Sequence, residues 1–374
     1  MKIGVDTFAC NVGVSGVGVY LTQILKRIPP SGNKYELFGW EFDRYAFTET
    51  AEKVEFISQG KINGKTANTL WHIFKFPQFA LSRKYEVCFF PAAHRRLPLK
   101  FTCPSVGTVH DMAAYWGTRK TREHLGAILR VCLPDSLRQL DRIIAVSTWV
   151  KQELIDVAQV RESQIEVVPN GIDNTVYYPH SSDTEQKPIQ PFGFKRPYIL
   201  YAARLHHPIK NHITLIKAFD IFKERTAFPH RIVFAGSDDH GADRIRAAAY
   251  TSKHRNDIFF TGNFPSVNLP GLYASASFAV IPSRYEGFGQ SAIEAMASGI
   301  PVACARAAAL PETAEHAALY FDPMDAEDMA DRMVALATDS ELYQQCRAAG
   351  IERARNFSWD ACAERTLQIL HEIV

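Results

Sequence analysis

Short apolar runs alternate with helical stretches along nearly the whole chain, and this alternation constrains the fold more than any other feature. The runs have the length and composition of fully buried strands, as in Val87–Phe90, Ser105–Val109 and Ser277–Ile281. Segments with helical periodicity lie between them. Strands that alternate with helices in this way form parallel, doubly wound sheets. The sequence therefore predicts an α/β fold.

The chain of 374 residues is long enough for two such domains. The stretch 179–197 is rich in Ser, Pro, Gln and Lys, a composition typical of a linker. We therefore expect a Rossmann-like N-terminal domain at 1–180 and a second one at 181–356. The remaining residues, 357–374, have helical periodicity after an N-cap serine.

Composition argues against several classes of protein. No window approaches the ~18 to 20 uncharged apolar residues of a membrane span, and the first residues lack a signal-peptide pattern, so we expect a cytoplasmic protein. The seven cysteines show no C-x-x-C spacing, which argues against a disulfide framework and a structural zinc site.

The stretch 282–301 carries most of the chemistry that the sequence indicates. It predicts a glycine-bearing turn and a helix of about two turns, with Ser291 and Glu294 in a capping box and Gly299 at the C-cap. A helix start beside glycines, at the carboxyl edge of a parallel sheet, presents backbone N–H groups to an anion. The predicted anion site consists of Gly287, Phe288, Gly289, Gln290 and Ser291.

Two carboxylates flank this predicted anion site. Glu286 lies in the turn and Glu294 lies in the helix, so the pair could hold hydroxyl groups on either side of a diphosphate. A nucleotide sugar has that shape, with a ribose diol, a diphosphate and sugar hydroxyls. The alternative is a helix-capping Glu294 and a solvated Glu286.

Two cations follow the first strand of the second domain. Breaking a sugar–phosphate bond leaves a nucleoside diphosphate, so the growing charge on a phosphate oxygen needs a metal or fixed cations. The sequence contains no D-x-D motif to hold a metal. We therefore predict a phosphate clamp of Arg204 and Lys210, followed by Asn211, with no metal and no cofactor. The alternative is a polar loop with solvated cations.

The N-terminal half contributes a third group of candidate residues. The loop after the first strand contains Gly13, Ser15, Gly16, Gly18 and Tyr20, and its glycine spacing does not match the dinucleotide fingerprint. His110 and Asp111 follow a buried strand, and Asn170 lies in a Pro-Asn-Gly turn before the linker. A structural histidine and an ordinary turn are the alternatives for these positions.

The spacing of the two glutamates resembles the E-x7-E signature of glycosyltransferase family four, retaining enzymes of the GT-B fold. Gln290 stands where leucine is commoner in that family. The segment from Arg204 to Asn211 resembles the family's R-x(5)-K-N, although Ala203 stands where glycine is usual. His110-Asp111, the P-N-G-I-D at 169–173 and the loop at 15–20 resemble further family motifs in the expected order.

The resemblance implies two Rossmann-like domains that face a cleft, with the last helix crossing back to the first domain. It implies that His110 contacts the transferring sugar, with Asp111 as its orienting neighbour. Gly16 and Gly18 would lie near the pyrophosphate, and the acceptor side would include Gly13, Ser15, Tyr20 and Asn170.

The resemblance also implies the reaction. A hexose would pass from a nucleotide diphosphate sugar to a glycan or polyprenyl-diphosphate-linked glycan, with GDP-mannose as the first expectation for the donor and bacterial polysaccharide biosynthesis as the context. Front-face attack would retain the anomeric configuration. Two alternatives stay open: a GT-B epimerase, which needs no acceptor, and a non-catalytic nucleotide-sugar-binding subunit.

One stretch of the N-terminal half is strongly basic. Residues 61–122 contain eleven Lys and Arg against two acids, interleaved with Leu70, Trp71, Phe74, Phe76 and Phe79. Basic side chains and interfacial aromatics suit an anionic bilayer surface. No nucleic-acid recognition motif is present. We therefore expect peripheral contact with the inner face of the cell membrane, with a solvated basic face as the alternative.

Overall fold

The computed structural model describes residues 1–8, 10, 15–30, 32–47, 53–60, 65–115, 124–179, 192–193 and 196–374. The chain divides into two compact units, one of residues 1–171 with 359–374 and one of residues 172–358. The boundaries expected from the sequence lay after residues 180 and 356. Each unit is built on one parallel sheet, which confirms the predicted α/β fold.

The first unit has a seven-stranded sheet. Its strands are β1 (Lys2–Asp6), β2 (Lys34–Gly39), β3 (Val54–Ser58), β4 (Val87–Phe90), β5 (Ser105–Val109), β6 (Arg142–Ala145) and β7 (Ile165–Val167). Their spatial order is β3-β2-β1-β4-β5-β6-β7, so the direction of winding reverses between β1 and β4. In open α/β sheets ligands bind at the carboxyl ends of the strands beside such a reversal.

Helices connect these strands. They are α1 (Gly16–Lys26), α2 (Glu41–Ala46), α3 (Lys65–Leu70), α4 (Phe76–Arg83), α5 (His124–Arg138) and α6 (Thr148–Asp156), with a π-helical turn, Trp71–Lys75, between α3 and α4. The inner strands β4 and β5 are buried along their whole length, whereas the edge strand β3 is only partly buried. This explains why β4 and β5 stand out in the sequence as continuous apolar runs and β3 does not.

The second unit has a six-stranded sheet. Its strands are β8 (Tyr198–Ala202), β9 (Arg231–Ala235), β10 (Ile258–Phe260), β11 (Phe278–Ile281), β12 (Val302–Ala305) and β13 (Ala318–Phe321). The spatial order β10-β9-β8-β11-β12-β13 reverses between β8 and β11. The loops that carry the two strongest motifs of the sequence, after β8 and after β11, are therefore neighbours.

The helices of the second unit run from α7 to α13. They are α7 (His212–Thr226), α8 (Ala242–Thr251), α9 (Leu269–Ser275), α10 (Gln290–Ala297), α11 (Leu310–Ala314), α12 (Ala326–Thr338) and α13 (Ser340–Ala354). None of the helices in the described ranges is long and apolar enough to cross a membrane.

The last helix, α14 (Trp359–Glu372), belongs to the first unit, as the resemblance to the family implied. Its apolar face, with Trp359, Leu367 and Ile369, is buried in the same core as β1 and α1. Arg365 adds a salt bridge to Glu166 of β7. Burial of one apolar stripe is the main stabilising term for such a helix.

Candidate functional site

The two strongest sequence motifs meet at the reversal point of the second sheet. The Lys210 ammonium, from the loop after β8, donates a hydrogen bond to Glu286 Oε1 at 2.5 Å, in the turn after β11. Ser283 Oγ donates to the same oxygen at 2.6 Å. Both ends of the pair are mostly buried, with side chains 23% and 15% exposed. The fold thus joins a predicted cation and a predicted carboxylate 76 residues apart.

Tyr201, near the end of β8, contacts Lys210 of this pair and Ser283, which donates to Glu286. Its hydroxyl donates to the backbone carbonyl of Lys210 at 3.0 Å and lies 2.7 Å from Ser283 Oγ. Burial raises the pKa of Tyr201, and the neighbouring Glu286 adds to the rise, so the phenol stays protonated. Tyr201 and Ser283 were not among the predicted site residues, because a tyrosine in a strand and a serine in a turn are both ordinary.

Asn211 holds three loops together. It has left-handed backbone (φ 57°) and a side chain that is only 2% exposed. Its amide nitrogen donates to the carbonyls of Pro282 at 3.0 Å and Pro323 at 2.7 Å. Its amide oxygen accepts from Thr214 at 2.8 Å and Arg284 at 3.1 Å.

These four bonds use the whole hydrogen-bonding capacity of an asparagine amide. The predicted contact of Asn211 with the nucleotide is therefore wrong for its side chain. The residue instead fixes the loops that follow β8, β11 and β13.

Arg204 pairs with Asp239, which lies on the loop between β9 and α8. Its guanidinium lies 2.8 Å from Asp239 Oδ2, and its side chain is 63% exposed. His206 Nδ1 lies 3.3 Å from the same oxygen. Burial works to raise the pKa of Asp239, but the His240 N–H, His206 and Arg204 outweigh it and lower the pKa. Arg204 therefore lies at the same edge as Lys210 with a defined carboxylate partner.

The turn after Glu286 begins α10 differently from the prediction. Gly289, at φ 103°, is the N-cap, so Ser291 lies in the first turn and the predicted capping box is absent. A Cβ at Gly289 would contact Leu310 at 3.0 Å in addition to the unfavourable φ. Gly299 was predicted to be the C-cap of α10. It has left-handed backbone and ends the helix, but it lies one residue after the C-cap, Ser298.

Phe288 is buried and packs on Phe357 with 5.5 Å between ring centroids. Its carbonyl accepts a hydrogen bond from Thr313. The Phe288 side chain therefore packs in the protein interior and holds the turn in place. It was predicted, in contrast, to belong to the anion-binding residues.

Glu294 is the fifth residue of α10 and is half-buried. Burial raises the pKa of Glu294 to about 7, and the phenol groups of Tyr273 and Tyr177 oppose part of this rise. A carboxyl group that changes charge near neutral pH is a frequent property of functional sites. The capping alternative does not apply to Glu294, because the helix begins at Gln290.

The first unit holds His110 at the carboxyl end of β5. His110 Nε2 lies 3.0 Å from the Pro91 carbonyl. Since a carbonyl can only accept, Nε2 carries the proton and Nδ1 is left as an acceptor. Burial lowers the pKa of His110 to about 3, with His94 contributing, so the ring is neutral at physiological pH.

The orienting role of Asp111 stays a prediction: its charge acts to raise the pKa of His110, while its described contacts are to other residues. Its carboxylate accepts from the Ala113 N–H at 3.1 Å and lies 3.8 Å from His94 Nε2. The Pro91 carbonyl orients the His110 ring, and the backbone N–H of His110 donates to His94 Nδ1 at 3.4 Å.

Tyr20 also differs from the prediction. It is fully buried, and its hydroxyl lies 3.1 Å from Thr108 Oγ1 and 3.3 Å from Thr366 Oγ1. Its ring packs edge-on against His110 at 4.8 Å. Tyr20 is therefore a core residue that supports His110, and it cannot contact an acceptor directly.

The glycine loop is shorter than expected. Ser15 is the N-cap of α1 and accepts from the Gly18 N–H at 3.2 Å, so Gly16 and Gly18 belong to the first helical turn. Gly13 lies outside the described residues. Asn170 is partly exposed, and its buried Oδ1 has no hydrogen-bond partner among the described residues.

Within the described part of the chain, no group of three His, Cys, Asp or Glu side chains is arranged to hold a metal ion. Metal-independent chemistry stays a prediction of the sequence.

The architecture of the two units is that of the GT-B glycosyltransferases. A solved sucrose-phosphate synthase from Thermosynechococcus elongatus superposes with a TM-score of 0.78 over all of this chain and 98% of that one, at 19% identity. Anabaena HepE in complex with UDP-glucose gives a TM-score of 0.77 at 18% identity, with complete coverage of both chains.

Two family models match the chain. The Glycosyltransferase Family 4 model matches residues 14–176, and the Glycosyl transferases group 1 model matches residues 182–353. The protein belongs to glycosyltransferase family four. The O-antigen chain mannosyltransferase B of Escherichia coli is 25% identical over 98% of both chains. The mannosylfructose-phosphate synthase of Agrobacterium fabrum is 28% identical over 62% of this chain and 53% of its own length.

We predict that Asn211→Ala destabilises the protein by about 2 to 4 kcal/mol, because two backbone carbonyls lose their buried donor. Asn211→Asp should cost at least as much, since a carboxylate cannot donate to these carbonyls. Urea unfolding followed by tryptophan fluorescence measures the change. The exposed Asn263→Ala is the matched control, and an Asn211→Ala protein as stable as this control would contradict the bridging role.

Proposed function

We propose that this protein is a retaining hexosyltransferase that uses a nucleotide diphosphate sugar. The observation that carries the proposal is the Lys210–Glu286 pair at the reversal point of the second sheet, directly before the N-terminus of α10. A cation, a carboxylate and a helix start at one sheet edge suit a diphosphate and the hydroxyls on either side of it.

The reaction breaks the bond between the anomeric carbon and the phosphate oxygen and forms a bond to the acceptor hydroxyl oxygen. Charge then grows on the departing phosphate, and Lys210, Arg204 and the positive end of the α10 dipole would stabilise it. The acceptor proton would pass to the departing phosphate oxygen. Attack on the same face as departure would retain the anomeric configuration, as the family resemblance implies.

Two further residues have roles in this proposal. Glu294 would accept hydrogen bonds from the ribose hydroxyls. His110 would accept a hydrogen bond from a sugar hydroxyl at Nδ1, which its bond to the Pro91 carbonyl leaves unprotonated. Because the pKa of His110 is lowered to about 3, the ring would orient the sugar and not supply a proton.

We propose that the donor is GDP-mannose, from which mannose is transferred, and that the acceptor is a glycan or a lipid-linked glycan. The match to an O-antigen chain mannosyltransferase over nearly the full chain supports this choice. Incubation with GDP- and UDP-sugars, with and without acceptor, followed by NMR of the product, tests it. An altered sugar without acceptor would indicate an epimerase, and donor binding without any turnover would indicate a non-catalytic binder.

We predict that Lys210→Ala lowers kcat by roughly 10²- to 10³-fold, because the transition state loses one fixed charge donor. Lys253→Ala is the matched control, since Lys253 also forms a 2.5 Å ion pair, with Glu224, but on the exposed surface. Steady-state rates with a saturating donor measure the change.

Equal rates for Lys210→Ala and the control would show that Lys210 does not contribute to catalysis. Addition of EDTA is expected to leave the wild-type rate unchanged. Activity that is lost in EDTA and returns with Mg²⁺ or Mn²⁺ would contradict the metal-independent chemistry.

We predict that nucleoside diphosphate affinity rises with pH through the region of pH 7. Ribose hydroxyls donate to the carboxylate, so binding favours ionised Glu294, whose pKa is raised to about 7. At pH 6 affinity should be about tenfold below its plateau above pH 8. Glu294→Gln removes this titration, and calorimetry across the pH range measures it. Since the ligand phosphates titrate equally in both proteins, identical pH profiles would show that Glu294 does not bind the ribose.

We also propose that the first unit contacts an anionic membrane. The proposed contact surface is the exposed part around Leu70 and Phe74, which is smaller than the whole stretch 61–122 that the sequence indicated. Trp71 and Phe76 are buried in the core, and Arg83 is paired with Glu36. Leu70 and Phe74 are 48% and 69% exposed. They line a groove of about 390 Å³ together with Trp40 and Lys75. Lys61, Arg119, Lys120 and Arg122 lie outside the described residues.

We predict that the protein sediments with phosphatidylglycerol-containing vesicles, less so at high salt, and that a Leu70→Ser, Phe74→Ser double variant sediments less. Insertion of apolar side chains and attraction of basic ones both contribute to such binding. Val267→Ser, which changes an exposed apolar residue of the second unit, is the control. Sedimentation that is equal with and without anionic lipid would favour a soluble acceptor.

A further inference from the structure

The second unit contains a cavity of about 1050 Å³ at the edge of the sheet opposite to the Lys210–Glu286 pair. Its lining includes Pro197, Ser277 and Ile300, which directly precede or closely approach the amino ends of β8, β11 and β12. Lys210 and Glu286 follow the carboxyl ends of β8 and β11. The cavity is therefore a separate place in the fold and not an extension of the donor site.

The charge of this cavity has one sign. Arg196, Arg347 and His230 contribute nitrogen groups to its lining, and none of its described lining residues is acidic. Burial lowers the pKa of His230 to about 4, with Lys223 contributing, so the ring is neutral at physiological pH. The two arginines supply the charge, and His230 supplies a neutral ring nitrogen.

Both guanidinium groups are held in place by the protein. Arg196 donates from one terminal nitrogen to Ser275 Oγ, and Arg347 Nε donates to the Gly299 carbonyl at 2.9 Å. Arg196 Nε and His230 Nδ1 are buried and have no hydrogen-bond partner among the described residues. A buried N–H group without an acceptor is costly, so a missing acceptor at Arg196 Nε is an informative feature.

Helix ends explain only part of this arrangement. The helices α9, α10 and α12 all end near the cavity, and the negative ends of their dipoles attract cations. Arg347 satisfies this need through its bond to the Gly299 carbonyl. The bonds described for Arg196 include no helix carbonyl, and its buried Nε has no hydrogen-bond partner among the described residues. Arg196 therefore points to a ligand that supplies an acceptor atom.

We propose that this cavity binds the phosphate group of a small phosphorylated sugar. A phosphate offers several acceptor oxygens and matches the planar, two-pronged donor groups of arginine. The cavity volume lies at the upper end of the range for small-molecule sites, well above what a phosphate alone needs. The remaining lining, with Tyr343, Gln344 and Thr338, presents a ring and polar groups suited to sugar hydroxyls.

Isothermal titration with mannose 6-phosphate, inorganic phosphate and free mannose tests the proposal. Wild-type protein should bind mannose 6-phosphate saturably, inorganic phosphate more weakly and mannose not detectably. Arg196→Gln should weaken the binding of mannose 6-phosphate by at least about tenfold, because one charged donor group is lost. Lys210→Ala should leave it unchanged, since that residue lies at the opposite edge.

Ala337→Trp gives a second, steric test. Ala337 is a partly exposed lining residue near the end of α12, so a large side chain can enter the cavity without replacing core packing. This variant should lose the binding, while Arg246→Gln, on the exposed surface of α8, should retain it. The proposal is overturned if wild-type protein does not bind mannose 6-phosphate, or if Lys210→Ala abolishes the binding while Ala337→Trp retains it.

Discussion

One buried side-chain amide fixes the geometry on which the second unit's candidate site depends. Asn211 joins the loops after β8, β11 and β13 through four hydrogen bonds, and the adjacent Lys210 reaches Glu286 from that fixed position. A satisfied buried polar group of this kind specifies one arrangement, because any other arrangement leaves polar atoms unpaired in the interior. Tyr201 adds a second support under the same loop.

Burial shifts the pKa values of two ionisable groups, Glu294 and His110, in opposite directions. It favours the neutral form in both cases, so it raises the pKa of Glu294 towards neutrality and lowers the pKa of His110 far below it. Glu294 therefore changes charge near physiological pH, whereas His110 is a fixed neutral acceptor. In contrast, Lys210 and Arg204 each lie beside a carboxylate, which holds a flexible side chain in a defined position.

The parallel sheet of the second unit separates two kinds of surface. Its carboxyl edge presents loops and the start of α10, which suits anionic ligands held by backbone N–H groups and cations. Its amino edge receives the ends of α9, α10 and α12, where carbonyl groups dominate. Of the two arginines at that second edge, Arg347 donates to a carbonyl at the end of α10, whereas Arg196 donates to a side-chain hydroxyl and its Nε has no partner among the described residues.

The sequence by itself determined the alternation of strands and helices, the parallel sheets, and the family, because buried strands and motif spacings are local patterns. It also identified Lys210, Arg204, Glu286 and Glu294 as candidates. It did not determine the edge strand β3, whose partly exposed side chains give no continuous apolar run.

Only the tertiary structure decided the partners of these residues. Asn211 and Tyr20 occur in motifs that suggest ligand contact, yet both side chains form hydrogen bonds with residues that are remote in sequence. Asp239 and Pro91, which position Arg204 and His110, lie on other loops. Burial, protonation and hydrogen-bond saturation depend on which strands become neighbours, and the order of strands in a doubly wound sheet is set by packing of the whole unit and not by any local stretch of sequence.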